Sequence, residues 1–184
     1  QEVRDIRDLD GSRLTFGKLK TLLVARTRAL RLKRALKDLL GYKIGPEDQV
    51  FLYSYWCSEF AHTLTELTQQ NPAYTSFSRA HGWDLYFERS AYDYLPLRKP
   101  IFNGLDAVFT ISENGRNYLL AKFNEQVSES KFIQSRLGIR KREKQTEIHR
   151  RFRRFRIVSC SNLISIKRVD LLIRSLEKID ELEI

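Results

Sequence analysis

Arg156-Ile-Val-Ser-Cys-Ser-Asn-Leu-Ile-Ser-Ile-Lys-Arg-Val-Asp-Leu-Leu-Ile-Arg-Ser-Leu176 joins an apolar run, a polar turn and an amphipathic segment with a basic head. The run Arg156-Ile-Val-Ser-Cys160 has the length and character of a buried strand, and the leucines that follow repeat at helical intervals, so the stretch predicts strand, turn and helix. The first turn of such a helix offers free backbone N–H groups and the positive end of its dipole, an arrangement that binds anions. Ser161 and Asn162 lie in the turn, and Lys167 and Arg168 open the helix. Cations there oppose the dipole, and a phosphorylated ligand would account for them. Two side chains reaching into water account for them as well, because an exposed charge at that position costs only a few tenths of a kcal/mol.

The same alternation runs through the preceding residues. Gln49-Val-Phe-Leu-Tyr-Ser-Tyr55 reads as a strand, followed by a helical pattern from Ser58 to Gln70 and the breaker Asn71-Pro72. Thr75 to Arg79 and Asp106 to Ile111 read as further strands, the latter leading through Ser112, a suitable N-cap, into a helix ending near Phe123. Lys131 to Ser135 completes the series upstream of Arg156. Strands alternating with helices predict an α/β fold: a Rossmann-like parallel sheet with flanking helices.

From Phe16 to Leu40, leucines recur every three or four residues among lysines and arginines, which predicts a long amphipathic helix stopped by Gly41 and Gly45-Pro46. Its basic face fits either of two arrangements, solvated charges around a core-packed stripe or docking on a membrane surface. Between Arg136 and Arg156 the chain is basic with little apolar period. The expected organisation is therefore one Rossmann-like domain over 1–138, a basic linker over 139–155, and the first strand and helix of a second domain over 156–184.

The 184 residues carry a net charge of +10, with 42% hydrophobic and 30% charged side chains, the composition of an ordinary globular protein, with disorder expected only locally, and one that favours an anionic partner. Cys57 and Cys160 stand apart without zinc-ligand spacing, and buried, reduced thiols are expected. No apolar run reaches the roughly 20 residues that span a bilayer, and Gln1-Glu-Val-Arg does not open a signal peptide, so a cytoplasmic protein is expected. The sequence does not open with Met, as expected of a part of a larger protein, and contains none elsewhere.

In open parallel sheets ligands bind beyond the carboxyl ends of the strands. The residues so placed are Trp56 after the first strand, Arg79, His81, Gly82 and Asp84 after the second, and Ser161, Asn162, Lys167 and Arg168 after the last. His81 can donate to or accept from a polar ligand, Gly82 permits close backbone approach, and Asp84 can hold the imidazole tautomer if the turn brings the two together. The spacing also fits a histidine satisfied within the core. Phe152 and Phe155 among arginines resemble a nucleic-acid patch, but no RNP, KH or helix-turn-helix pattern accompanies them, which weighs against nucleic acid. No serine triad, HExxH motif or P-loop is present in the sequence, and nothing in it calls for a metal or a cofactor.

Tyr53-Ser-Tyr-Trp56, Ser78-Arg-Ala-His-Gly-Trp-Asp-Leu-Tyr86, Ile111-Ser-Glu-Asn-Gly115, Ser135-Arg-Leu-Gly138 and Val158-Ser-Cys-Ser-Asn-Leu with Lys167-Arg-Val-Asp-Leu-Leu172 occur in an order that resembles the family 4 retaining glycosyltransferases of GT-B fold. The resemblance runs from about residue 50 to the end. It implies two Rossmann-like domains, one for a lipid-linked or polysaccharide acceptor and one for a nucleotide-sugar donor, and the basic N-terminal helix would suit the inner face of a membrane carrying such acceptors. It further implies that His81 faces the donor sugar, with Arg79, Gly82 and Asp84 shaping its loop, and that Lys167 approaches the donor diphosphate. The chain departs from the family at Ser161-Asn162, where Gly-Arg is frequent, so that one expected cation is replaced unless Arg168 supplies it. The family's acidic donor-reading segment and its glycine-rich first loop have no counterpart, and the resemblance implies little or no sugar transfer by the chain alone. The rival expectation is a non-enzymatic basic module for nucleic acid or an anionic membrane.

Overall fold

The computed structural model describes residues 14–45, 47–138 and 157–177. The chain divides into two compact units between residues 139 and 140.

The first unit begins with helix α1 (Phe16–Lys43), whose N-cap Thr15 accepts a hydrogen bond from the Lys18 amide at 3.3 Å. Its buried stripe is set by Leu22, Ala25 and Ala29, while Leu23, Leu30 and Leu39 are more than half exposed. The expected leucine stripe is thus shared: Leu22, Leu36 and Leu40 pack on the core, while Ala25 and Ala29 take the other buried positions. The cause is close approach by helix α2 (Glu59–Thr68): the buried Thr63 hydroxyl donates to the Ala29 carbonyl at 3.0 Å, which leaves room for a methyl group only. Charges flank this seam, with Lys33 on Glu66 at 2.8 Å and Arg28 on Glu59 at 3.3 Å. Helix α1 also continues through Gly41 to Lys43, because a glycine so near a helix end forfeits only about 1 kcal/mol. Pro46 lies outside the described residues.

Strands β1 (Val50–Ser54), β2 (Tyr74–Ala80), β3 (Ala107–Thr110) and β4 (Phe132–Gln134) form a parallel sheet in the order β1-β2-β3-β4. Helix α2 connects β1 to β2. The four-residue helix α3 (Gly82–Leu85) and α4 (Arg98–Gly104) lie between β2 and β3, and α5 (Glu113–Phe123) leads towards β4. Ser58 and Ser112 cap α2 and α5 through their hydroxyls, Ser112 accepting from the Gly115 amide at 3.1 Å. Each connection steps in the same direction across the sheet, and right-handed crossovers taken in one direction deliver their helices to one face. That face carries Leu52, Ser78, Ala80, Val108 and Phe132, all buried. The core continues into the helices through Leu64, Leu67, Ile101, Phe102, Leu119 and Phe123.

The opposite face is only partly covered. Phe51, Tyr53 and Ile133 are 65%, 51% and 43% exposed, and Phe51, Phe77 and Phe109 form a row of rings at centroid spacings of 6.2 and 6.0 Å. The α/β class with a four-stranded parallel sheet flanked by helices is as expected from the sequence.

In the second unit, residues 157–160 form no strand and are exposed, which corrects the expectation of a buried strand at 156–160 and of a buried Cys160. A strand gains its stability from neighbours that pair its N–H and C=O groups, and the described residues of this unit hold no strand. The helix that follows, α6 (Val169–Leu176), forms as expected, but Lys167 closes a preceding 3-10 turn and Arg168 caps α6 in the left-handed region at φ 52°. The basic linker expected at 139–155 lies outside the described residues. Among those residues no helix is long and apolar enough to cross a membrane.

Candidate functional site

Strand β2 delivers His81 to its carboxyl end, where the backbone turns into α3 with His81 as N-cap. Neighbouring β1 delivers Tyr55 and Trp56 to the same end, in register because Ser54 pairs with Ser78. The imidazole packs against both aromatic rings, at centroid distances of 4.7 Å to Tyr55 and 4.4 Å to Trp56. Trp56 in turn lies 5.2 Å from Trp83 on α3. Three aromatic side chains, 48%, 39% and 51% exposed for Tyr55, Trp56 and Trp83, thus surround a histidine only 7% exposed.

Asp84 is fully buried, and its two oxygens accept from the backbone amides of Cys57 at 2.7 Å and His81 at 2.5 Å. This carboxylate ties the ends of β1 and β2 together. Its distance to His81 Nδ1 is 3.9 Å, and both ring nitrogens of His81 are buried without a hydrogen-bond partner, although the turn has the outline of a capping box. Asp84 thus holds the backbone through two amides and also lies beside the imidazole, whose charged form it favours. Burial is the main influence on the ring and lowers the His81 pKa from its ordinary value, against the pull of Asp84. The imidazole is neutral at pH 7, with a free acceptor and a free donor. Groups of this kind recur at sites that meet a ligand.

Cys57 lies directly beneath this cluster. Burial pushes its thiol up to about 11, the nearby Arg98 opposing and Asp84 reinforcing the shift, so the sulfur is a packing group rather than a nucleophile.

Arg79 does not join His81. Alternation along β2 sends its side chain to the opposite sheet face, where the guanidinium donates to the Ser135 carbonyl at 2.6 Å and the Ser135 hydroxyl at 3.2 Å and lies over Phe109. Gly82 has a different neighbour: a Cβ there would stand 2.8 Å from Nη1 of Arg89. Trp56, His81, Gly82 and Asp84 are brought together, and Arg79 is not. In the second unit Ser161, Asn162, Lys167 and Arg168 are all exposed, with the Lys167 amide bonded to the Ile164 carbonyl at 2.9 Å.

Sequence reasoning missed two contributors. Trp83 stood within a quoted motif, and its alternation with His81 across a tight turn was the available signal. Arg98 gave none, because burial of an arginine follows from the tertiary fold alone. Among the described residues no group of His, Cys, Asp and Glu is arranged to hold a metal ion. The chain matches no protein-family model, no curated protein and no solved structure.

Proposed function

We propose that this chain serves a retaining glycosyltransferase of GT-B type, moving a sugar from a nucleotide-sugar donor to a lipid-linked or polysaccharide acceptor. The observation that carries the reading is His81: a neutral imidazole with unpartnered nitrogens, walled by Tyr55 and Trp56 at the carboxyl ends of parallel strands. Aromatic rings suit the apolar faces of a sugar, and a buried donor and acceptor suit its hydroxyls. The resemblance of the ordered motifs supplies the remainder.

In this reading the bond between the anomeric carbon and the donor phosphate oxygen breaks with its electron pair leaving on the nucleoside diphosphate. The acceptor oxygen forms the new bond on the same face of the sugar, and its proton passes to the departing phosphate oxygen. His81 orients the sugar through a hydroxyl, while Lys167, helped by Arg168, steadies the charge on the diphosphate. No metal or cofactor enters. The expected setting is the cytoplasm at the inner face of a membrane carrying such acceptors.

Transfer of a labelled sugar by the product of the complete reading frame tests this. His81→Ala should lower the rate roughly 10²-fold or more, and Lys167→Ala about tenfold or more. Unchanged rates in both variants would remove the assignment.

A second reading, a non-enzymatic module on an anionic membrane, is favoured by α1, where Phe16, Leu23 and Leu30 are exposed beside lysines and arginines. It predicts vesicle binding that collapses with salt and is indifferent to nucleotide sugars.

A further inference from the structure

A cavity of about 520 Å³ opens between the start of α1, the N-terminus of α2 and the segment leading into α4. Its walls include Lys20, Arg28, Arg89 and Arg98 against the single carboxylate of Glu59. Arg28 already holds Glu59 at 3.3 Å. Lys20, Arg89 and Arg98 have no carboxylate within ion-pair distance among the described residues, so the cavity lining carries an excess of positive charge.

Arg98 is the informative member. It is 3% exposed, and two of its guanidinium nitrogens, Nε and Nη1, are buried without a hydrogen-bond partner. A guanidinium cannot shed its proton to escape this, as a lysine would, and burying an unpaired cation is among the costliest arrangements a fold can contain. The chain enters Arg98 through Leu97 in the left-handed region at φ 64°, a conformation that a branched side chain resists. Strain and desolvation thus both fall on this residue of the cavity lining. The ten-residue helix α2 adds the positive end of its dipole, since Ser58 and Glu59 at its start line the same cavity. Tyr92 stands at the mouth, its ring seated so closely on Gly17 that a Cβ there would lie 2.4 Å from it.

We propose that this cavity binds a phosphoryl group, as a phosphomonoester or diphosphate. A single carboxylate would leave most of the charge uncompensated, whereas a phosphomonoester brings about −1.5 to −2 at neutral pH and a diphosphate more. The planar fork of Arg98 fits two phosphate oxygens at once. The proposal stands apart from sugar transfer, because it is read by binding without turnover.

Calorimetric titration of the full chain at physiological ionic strength provides the test, with inorganic pyrophosphate, inorganic phosphate and phosphatidate-containing phosphatidylcholine vesicles in separate arms. Pyrophosphate should bind at one site, with Arg98→Gln and Arg89→Gln each weakening it about tenfold or more. Lys37→Gln, an exposed change elsewhere on α1, should leave affinity unchanged. Vesicle binding lost in the same two variants identifies a lipid headgroup as the source, and binding of the free anions alone identifies a soluble ligand. Arg89 is exposed, so its variant tests the site even if Arg98→Gln folds poorly. Arg98→Met should raise the Tm of the unliganded chain by removing an uncompensated charge, where a merely structural arginine would lower it. Failure of every arm to bind, or equal weakening by Lys37→Gln, overturns the site.

Discussion

Asp84 shows how much a single side chain contributes to the candidate site. Both of its oxygens accept backbone amides in a buried position, so Asp84→Asn turns one acceptor into a donor that faces an N–H. The expected loss is about 2–4 kcal/mol, measured by urea unfolding, and the separation of the ends of β1 and β2 should also raise hydrogen exchange at the Cys57 amide. The sequence placed Asp84 beside His81 in space but did not show that its oxygens also take two backbone amides. Carboxylates choose between a ring nitrogen and a backbone amide by differences of an ångström, which spacing along the chain does not encode. The same limit explains Arg79. Its position after a strand pointed to the site, yet the two-residue period of β2 carries it to the other face, where Ser135 holds it.

The seam between α1 and α2 carries its own predictions. Ala29 faces a hydroxyl that donates to its own carbonyl, so Ala29→Leu should overpack the seam and cost about 1–3 kcal/mol in thermal or urea unfolding. The seam also responds to pH through His62, which sits among Arg26, Glu66 and Lys33, with the Arg26 guanidinium 3.0 Å from Nε2. Burial, reinforced by Arg26 and opposed by Glu66, lowers the His62 pKa below its ordinary 6.5. The unfolded chain therefore takes up a proton first as pH falls through 6.5, and stability drops from there until the folded pKa is reached. The slope should approach about 1.4 kcal/mol per pH unit for each such histidine, and His62→Gln should flatten it in unfolding curves taken between pH 7 and 5. Strands and one helix cap were legible at this scale: the apolar runs of β1 to β4 and the cap Ser112 form where their patterns put them. The α1 stripe was legible only in part, since leucine spacing marks several faces and only the neighbouring helix selects among them.

At the scale of the whole molecule, the first unit is covered on one side of its sheet because every described crossover moves the same way. Parallel sheets are ordinarily covered on both faces, and the row Phe51, Phe77, Phe109 with Ile133 leaves an aromatic surface open. The chain should enhance the fluorescence of an anilinonaphthalene dye at neutral pH without loss of secondary structure, and Phe51→Lys should reduce that signal by about half. Undiminished fluorescence in the variant would place the dye elsewhere. The α/β class followed from alternation of elements, but the strand expected at 156–160 did not form, because pairing depends on neighbours that a local pattern does not supply. The two cysteines turn this division of the chain into a measurement. Cys160 is exposed, whereas Cys57 is fully buried with its thiol pushed up to about 11. An alkylating reagent should consume Cys160 at once and reach Cys57 only when the first unit opens, roughly 10³-fold or more slowly. The slow phase is a clock for that opening, already installed in the native sequence, and its lengthening by an added anion would report occupancy without any label.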